Sequence, residues 1–334
     1  MTLPRVLIIT TGGTIAMTPN ADGGISPSLT GEELIRVVPE LELIAAPLVQ
    51  TYSNKPGASL SLTDLAAIAA LIEVGFTQGC SGAVVIQGTD TIEETAFALE
   101  LLVRSPRPVV VTGAMRGAQA PGADGAANIL AAVTVAASDG AKSLGALIVM
   151  GDQIHAARYV QKAHTAQPSA FSSPICGPLG GLVEGQLRWF ARIEKLPALA
   201  LPKPAETAIA LLTIALGDDG RLLPTLPALG YQGVVIAAMG AGHVPAHIAP
   251  LIGDLCAHMP VVLSTRVVAG PVLSASYAFP GSETDLIGRG AIPGGALGAL
   301  KACMLLRLLL AGGVPASELP AEFALRSQGR LPDG

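Results

Sequence analysis

The sequence predicts an α/β protein of two domains, in which the larger, N-terminal domain has a parallel or mixed sheet with flanking helices. Its 334 residues are about twice the length of a typical domain. Short β-branched runs alternate with longer segments of helical period, a pattern that favours parallel strands covered by helices. Half of the residues are hydrophobic but only 3% are aromatic, so the core must be aliphatic. Such a core packs well between helices and a parallel sheet.

Charge and hydropathy exclude several classes of partner. The net charge is −5 and no basic cluster is visible, so nucleic acid is not an expected partner. The most apolar segment, residues 295–312, contains Lys301 and Arg307, whereas a membrane-spanning helix needs about 20 consecutive apolar residues. No secretory signal precedes the first predicted strand. We therefore expect a cytoplasmic protein without membrane contact.

The cysteines and histidines do not follow a metal-binding pattern. The four cysteines lie tens of residues apart in apolar settings, and no Cys-x-x-Cys occurs. His243 and His247 are four residues apart, but Pro245 between them disfavours a helical pair of ligands. We expect buried free thiols and no metal.

The first predicted strand, residues 5–10, ends at a turn that carries several hydroxyls. A glycine pair stops the strand, since residues without Cβ allow a sharp reversal or the close approach of a ligand. In open α/β sheets this edge is where ligands bind. The alternative is a turn whose threonines cap the next element. The threonines concerned are Thr10, Thr11 and Thr14.

The rest of the N-terminal domain alternates in the same way. Residues 17–29 form a polar, glycine-rich segment that is either a mobile lid or a plain surface loop. The predicted helices cover residues 30–38, 60–72, 91–104 and 128–138, and the predicted strands cover residues 82–86, 108–112 and 147–150.

The alternation breaks at residues 187–206, where three prolines and the loss of periodicity indicate a linker. We therefore expect an N-terminal catalytic domain over residues 1–186 and a smaller α/β domain over residues 207–334. In the second domain, the predicted strands cover residues 208–213, 233–237 and 260–264, and a closing helix covers residues 295–310.

A second stretch with reactive side chains reads Gln-Gly-Thr-Asp-Thr-Ile-Glu-Glu-Thr and starts at Gln87. It follows a buried strand and opens a helix, whose free N–H groups can hold negative charge. Thr89 and Asp90 would then share the strand-end crevice with the first turn. The structural alternative is that Asp90 or Thr91 caps the helix and Glu94 completes a capping box.

A threonine hydroxyl needs a base before it can act as a nucleophile. Lys162 follows the strand at residues 147–150, and a desolvated lysine can act as a base. A lone lysine is more often a solvated surface residue. Asp90 beside Lys162 would keep the lysine charged unless desolvation dominates, so the identity of the base stays open.

Seven motifs occur in a characteristic order. They are Thr-Gly-Gly-Thr-Ile-Ala at 11–16, Gly-Thr-Asp-Thr-x-Glu-Glu-Thr at 88–95, Thr-Gly-Ala-Met-Arg at 112–116, Ala-Asp-Gly at 123–125, Gly-Pro-Leu-Gly at 177–180, Gly-Ala-Gly at 240–242 and Ser-Thr-Arg at 264–266. Together they resemble the bacterial L-asparaginase (asparaginase/glutaminase) family over nearly the whole chain. The resemblance implies a two-domain amidohydrolase that converts L-asparagine to L-aspartate and ammonia without a cofactor.

The resemblance also implies roles for individual residues. Thr14 matches the family's nucleophile, and Thr89, Asp90 and Lys162 match its second catalytic group. Ser59 matches the serine that holds the α-carboxylate of the substrate. The further positions expected at the substrate are Gly13, Gly88 and Ala114. Because the family is usually a tetramer in which a neighbouring subunit completes each active site, a homo-oligomer, dimer or tetramer, is expected.

Three departures from the family pattern concern the substrate. Gln87 stands where the family commonly has histidine, and residues 17–29 lack the tyrosine of the family's mobile loop. The Asn and Glu that hold the α-amino group from the partner subunit are not evident, and His243, Tyr277 and Glu283 are the candidates to replace them. Amide hydrolysis is therefore better matched than a preference for asparagine over glutamine or another small carboxamide.

Three other functions compete with hydrolysis. A dinucleotide-binding protein needs Gly-x-Gly-x-x-Gly followed by an acid, and the first turn lacks that spacing. The asparaginase-like subunit of a tRNA-dependent amidotransferase should carry an additional N-terminal domain and a surface for tRNA, which an acidic chain starting four residues before its first strand disfavours. A non-catalytic amide sensor is disfavoured because Thr14, Thr89, Asp90 and Lys162 are all present.

Overall fold

The structure is a computed structural model that describes residues 2–13, 15, 17–19, 25–27, 31–201 and 207–327. The chain divides into two compact units, Met1–Ala198 and Leu199–Gly334. Each unit is an α/β layer structure, so the predicted fold class is confirmed. Thr14 and parts of the polar segment at residues 17–29 lie outside the described residues.

Strands β1 to β12 lie in the first unit, and β13 to β16 lie in the second. They are β1 (Arg5–Thr10), β2 (Met17–Pro19), β3 (Ile25–Pro27), β4 (Ala46–Thr51), β5 (Gly82–Ile86), β6 (Val109–Thr112), β7 (Ala146–Met150), β8 (Gln153–Ala156), β9 (Gln161–Lys162), β10 (Phe171–Ser172), β11 (Gly180–Val183), β12 (Gln186–Trp189), β13 (Ile209–Thr213), β14 (Gly233–Ala238), β15 (Val261–Thr265) and β16 (Ile292–Pro293).

The helices lie mostly between strands, as expected for α/β units. They are α1 (Gly31–Arg36), α2 (Leu62–Thr77), α3 (Ile92–Leu102), α4 (Gly125–Ala136), α5 (Ala249–Cys256), α6 (Glu283–Gly288), α7 (Ala299–Ala311) and α8 (Leu319–Ser327).

The first unit is built on a mixed sheet of eight described strands in the order β12-β11-β8-β7-β6-β5-β1-β4. Strands β4, β1, β5, β6 and β7 are parallel, and β8, β11 and β12 continue the sheet by antiparallel pairing. The central strands are β-branched and fully buried, as strands covered on both faces must be. Their register places Thr10 beside Ile86 and Ile86 beside Thr112, so the turns that follow leave the sheet at one edge.

Two segments at the borders of this sheet differ from the sequence-based expectation. The edge strand β4 was not predicted, because its Pro47 reads as a break, although proline is tolerated on an edge strand. The expected linker at residues 187–206 begins inside β12. There Leu187 and Trp189 alternate with polar residues and pack against the core. The sheet of the first unit therefore extends into that segment.

The second unit contains a smaller parallel sheet of four described strands, in the order β13-β14-β15-β16. Strands β14 and β15 are fully buried, and α7 packs on this sheet with an aliphatic face. Helices α5, α6 and α8 were not predicted from the sequence, because each is short and follows a glycine- or proline-rich stretch.

The thiols do not share one environment. Cys80 is buried, Cys256 and Cys303 are partly exposed, and Cys176 is exposed. The expectation of uniformly buried thiols is therefore wrong, because Cys176 lies in the loop between β10 and β11 and not in the core. Within the described ranges, every helix falls short of the length and apolar character that a bilayer-spanning segment requires.

Candidate active site

The turns after β1 and β5 touch each other at the carboxyl edge of the sheet. Gly13 has a positive φ of 94°, which L side chains rarely adopt. A Cβ on Gly13 would lie 2.2 Å from the backbone nitrogen of Gly88, so the contact requires glycine. Thr14, the next residue, is outside the described residues. The geometry nevertheless brings the two predicted substrate positions, Gly13 and Gly88, into direct contact.

The turn after β5 presents two polar side chains in different environments. Residues Thr89–Thr91 form a short 3-10 turn that leads into α3. Thr89 is only 6% exposed, whereas the side chain of Asp90 is 71% exposed. The predicted capping box is absent from this helix start, because the Thr91 side chain makes no cap hydrogen bond.

Lys162 reaches both of these side chains from a distant part of the chain. It lies on β9, which pairs with β10 in a two-stranded ladder outside the large sheet. Its Nζ lies 3.0 Å from Thr89 Oγ1 and 2.7 Å from Asp90 Oδ1. The lysine side chain is 16% exposed. The structure therefore brings together three of the four residues predicted to do the chemistry.

This arrangement supplies the parts that hydroxyl activation needs. A lysine within hydrogen-bond distance of a buried hydroxyl can exchange a proton with it, and the neighbouring carboxylate orients the amine. An open pocket adjoins the pair, so a small substrate or water can reach it. The residues lining that pocket are Asp90, Lys162, Ala163, His164 and Thr165.

The predicted carboxylate-binding residue lies in a turn that is packed against the same centre. Ser59 is the last residue of the 3-10 turn Gly57–Ser59 and is exposed. A Cβ on Gly57 would lie 2.8 Å from the carbonyl oxygen of Gly88, so this turn also approaches as closely as glycine allows. Ser59 is therefore held near the turn that carries Thr89.

The second unit holds the three residues predicted to contact the α-amino group, and they do not have equal access. Glu283 is fully buried at the start of α6. One of its oxygens accepts from the backbone N–H groups of Ser276 and Tyr277, at 3.0 and 2.8 Å. The other lies 3.2 Å from Nε2 of His243. Glu283 therefore supports its neighbours, and both of its carboxylate oxygens are engaged within the second unit.

The ionisation of Glu283 fixes the orientation of the histidine. Burial by itself raises the pKa of Glu283, but the hydrogen bonds from Tyr277, Ser276 and His243 outweigh it and lower that pKa below 4.5. An ionised carboxylate can only accept, so Nε2 of His243 carries a hydrogen. The imidazole packs edge-to-face against Tyr277 and Phe279, at ring-centroid distances of 4.8 and 5.1 Å. Both aromatic rings are about half exposed.

Two family models match the chain. The model described as "Asparaginase, N-terminal" matches residues 5–195, and that described as "Glutaminase/Asparaginase C-terminal domain" matches residues 208–323. The chain belongs to the asparaginase family.

Relatives with assigned names extend the match over nearly the whole chain. A protein of Deinococcus radiodurans named probable L-asparaginase is 36% identical over 333 residues, which cover 96% of this chain and 97% of the relative. A glutaminase-asparaginase of Pseudomonas fluorescens biotype A is 31% identical, covering 85% of this chain and 82% of the relative. The crystal structure of a probable cytoplasmic L-asparaginase from Campylobacter jejuni matches with a TM-score of 0.87 at 31% identity, covering 96% and 99%. The chain is an asparaginase-type amidohydrolase.

In this amidohydrolase, the turn after β6 is held by residues whose roles the sequence did not indicate. Ala114 is fully buried in this turn. Asp124 accepts from the backbone N–H groups of Met115 and Arg116, at 3.0 and 2.9 Å. Asn128 donates to the carbonyl of Gly113 and accepts from Gly151 N, both at 3.0 Å. The Ala-Asp-Gly motif at 123–125 was the available signal for Asp124.

Glu93 is a second residue whose role the sequence did not indicate, since the expected capping box involved its neighbour Glu94. Its carboxylate accepts from the backbone N–H of Lys162 at 3.2 Å. It lies on the first turn of α3, one residue after Ile92, and is nearly buried. Lys162 is thus held at two points, its Nζ by Asp90 and its backbone by Glu93.

Proposed function

We propose that this amidohydrolase converts L-asparagine to L-aspartate and ammonia through a threonine acyl-enzyme. The observation that carries the proposal is the 3.0 Å contact between Lys162 Nζ and Thr89 Oγ1, with Asp90 2.7 Å from the same nitrogen. A buried hydroxyl, an amine that contacts it and a carboxylate that contacts the amine are the parts that acyl transfer needs. The sequence motif that contains Thr14 supports that residue as the nucleophile.

The proposed reaction has two steps. In the first, the Thr14 hydroxyl oxygen bonds to the amide carbon and its proton passes to a base; the C–N bond then breaks, and the proton leaves with the nitrogen as ammonia. In the second, a water molecule adds to the resulting ester, its proton restores the Thr14 hydroxyl, and aspartate is released. Thr89 and Lys162 are the proposed proton-transfer pair for the water.

The negative charge that develops on the carbonyl oxygen needs hydrogen-bond donors. Backbone N–H groups of Gly13 and of the first turn of α3 are the proposed donors, since both belong to the turns that meet at this edge. Asp90 is largely exposed, so solvent screens its attraction for Lys162. Its proposed role is to orient the lysine rather than to stabilise the fold.

Substrate recognition is proposed to combine the first unit of one subunit with the second unit of a neighbouring subunit. Ser59 is the proposed contact for the α-carboxylate, and His243 and Tyr277 are the proposed contacts for the α-amino group. The exposed side chains in the second unit support His243 and Tyr277 in this role, whereas Glu283 acts behind them. As part of the proposal, a homo-oligomer supplies these residues, and the protein acts in the cytoplasm.

A preference for glutamine is the second candidate. It is favoured by the departures from the family pattern at Gln87 and His243, and by a relative that is named glutaminase-asparaginase. The two substrates differ by one methylene, a difference that a pocket discriminates by only about 10- to 200-fold. Relative rates therefore decide between them.

The experiment is an ammonia-release assay of the purified protein. Asparagine, glutamine and the corresponding amides without the α-amino group are compared at equal concentrations, with no tRNA, nucleotide or added metal. The proposal predicts the highest kcat/KM for asparagine. Ammonia from glutamine alone would support the second candidate, and release that requires tRNA would support an amidotransferase subunit. No ammonia from any amide would refute the enzyme assignment.

A further inference from the structure

The side chain of Thr91 connects the two turns of the site and does not cap its own helix. Its Oγ1 donates to the carbonyl oxygen of Gly57 at 3.0 Å. Because a hydroxyl has one hydrogen, Oγ1 must accept the 3.3 Å hydrogen bond from Nε2 of Gln87. We call this chain of hydrogen bonds from Gln87 through Thr91 to Gly57 the Gln87 relay.

Both ends of the relay are fixed. Gln87 is fully buried, and its Nε2 also donates to the carbonyl of Gly88 at 3.2 Å. At the other end, Gly57 is buried against Gly88 and Thr91, where an added Cβ would lie 3.2 Å from Thr91 Oγ1. Since hydrogen bonds polarise one another in a low-dielectric environment, the glutamine strengthens the bond that Thr91 makes.

The turn held by the relay has few other anchors. Within Gly57–Ser59, the described backbone hydrogen bonds are local ones, from Ser59 N to Pro56 O and from Leu60 N to Gly57 O. Such bonds shape the turn but do not fix its distance from the strand end. Thr91 supplies a side-chain hydrogen bond between this turn and the residues that follow β5.

We propose that Thr91, supported by Gln87, is a positioning residue that sets the distance between Ser59 and the catalytic pair Thr89–Lys162. The proposal rests on the proposed function, in which Ser59 holds the α-carboxylate of the substrate. In this proposal the relay affects substrate binding through Ser59, whereas Lys162 affects proton transfer.

The relay and the catalytic pair do not share atoms. Lys162 contacts Oγ1 of Thr89 and Oδ1 of Asp90, neither of which bonds to Thr91 or Gln87 in the described structure. Loss of the relay therefore removes an interaction made equally in the ground state and the transition state. Such a loss raises KM and leaves kcat unchanged.

The test compares Thr91→Val with Thr95→Val in the full-length protein. Thr95 lies one turn further along α3, is buried, and its hydroxyl has no hydrogen-bond partner in the described structure. It is therefore a matched control for the same change in shape. Thr91→Val should raise KM for the preferred amide by about 3- to 10-fold, the range expected for one neutral hydrogen bond. Its kcat should stay within twofold, and Thr95→Val should match the wild type in both constants.

Two further variants test the parts of the relay separately. Thr91→Ser keeps the hydroxyl and should restore the wild-type KM. Gln87→Met keeps the length of the side chain but removes the donor, and should raise KM in the same direction by a smaller factor. Thermal unfolding of each variant identifies any that fails to fold, and if Thr91→Val fails, the rise in KM of Gln87→Met carries the test.

Hydrogen exchange gives a readout that does not depend on activity. In Thr91→Val, the amides of residues 57–60 should exchange faster than in the wild type and in Thr95→Val. Unchanged exchange together with an unchanged KM would overturn the relay, as would a fall in kcat at constant KM. If the wild type releases no ammonia, the proposed function fails, whereas a wild-type KM in an active Thr91→Val enzyme removes only the relay.

Discussion

Two clusters in this protein, Asp90 with Lys162 and Glu283 with His243, both pair a carboxylate with a nitrogen base, but they bury opposite partners. In the first unit, the Asp90 side chain is 71% exposed and that of Lys162 is 16% exposed. In the second unit, the Glu283 side chain is fully buried and that of His243 is 23% exposed. The more exposed partner is therefore the carboxylate in the first cluster and the imidazole in the second.

This difference in burial supports proton transfer as the role of the first cluster and ligand binding as the role of the second. A lysine that is largely removed from water and touches a buried hydroxyl can take part in proton transfer. A histidine that is oriented from behind by a buried carboxylate, between two half-exposed aromatic rings, presents a fixed polar edge to a ligand. In the first cluster the base is the protected group, and in the second the acid is. Burial thus supports the different roles that are proposed for the two clusters.

The largest expected effect is the loss of the lysine in the first cluster. Lys162→Met keeps the length of the side chain but removes the amine, and should lower kcat by about 10³-fold, within the range for a general acid–base group. KM and the unfolding midpoint should change little. The control is Lys142→Met, since Lys142 pairs with the exposed Asp139 and lies outside the site. A Lys162→Met enzyme with more than a tenth of the wild-type kcat would contradict the assignment.

The buried carboxylate of the second cluster should matter for stability instead. Glu283→Gln replaces an ionised acceptor with a neutral amide whose NH2 faces the Nε2 hydrogen of His243. We expect a loss of about 1–3 kcal/mol at pH 7, the range for hydrogen bonds to a charged group. Urea unfolding measures it. Glu318→Gln, at an exposed glutamate of the same unit, is the control and should stay within about 0.5 kcal/mol.

The pH dependence of that loss of stability shows whether folding lowers or raises the pKa of Glu283. The pKa of Glu283 is lower in the folded protein than its ordinary 4.5, so the unfolded chain binds the proton more readily. The stabilisation is therefore present above pH 4.5 and disappears as the pH falls through the lower, folded pKa. The stability difference between wild type and Glu283→Gln should therefore shrink as the pH falls below 4.5. A difference that grows as the pH falls below 4.5 would mean that the folded protein raises the pKa of Glu283 instead of lowering it.

Much of the first cluster could be predicted because it depends on local patterns and on strand ends. β1 and β5 are short aliphatic runs that stop at glycines, and parallel strands bring their ends to one edge. The contact of Lys162 with Thr89 spans 73 residues, and it entered the prediction through the family resemblance. The residues themselves offered Lys162 as a candidate base, with a solvated surface lysine as the alternative, and did not pair it with Thr89. No period or spacing indicates the pairing of β9 with β10, each only two residues long.

The second cluster was less predictable because burial cannot be read from residue type. Glu283, His243 and Tyr277 were all plausible contacts for an ammonium group, and the sequence ranked them equally. Glu283 is buried because its carboxylate takes the two free N–H groups of Ser276 and Tyr277. Those groups belong to an irregular loop, and such satisfaction of backbone donors has no short-range sequence signature.

A smaller effect, on substrate binding, should follow removal of the His243 imidazole in the second cluster. His243→Ala should raise KM for an α-amino amide by about tenfold, with kcat nearly constant, as for the loss of a hydrogen bond to a charged group. The same variant should leave KM unchanged for an amide without the α-amino group. His258→Ala, at an exposed histidine of the same unit, is the control. Equal losses with both substrates would show that His243 supports the loop rather than binds the amino group.

The smallest effect concerns a feature that the two clusters share, a carboxylate that accepts from backbone N–H groups. Glu93 holds the backbone of Lys162 in the way that Glu283 holds Ser276 and Tyr277, through a hydrogen bond of 3.2 Å from the Lys162 N–H. Glu93→Ala should therefore lower kcat only about 3- to 10-fold, whereas Glu93→Gln, which keeps an acceptor oxygen, should stay within twofold of the wild type. Steady-state kinetics with both variants distinguishes the two causes. If Glu93→Gln loses as much as Glu93→Ala, the charge of Glu93 acts on the lysine, and positioning through the backbone is not its role.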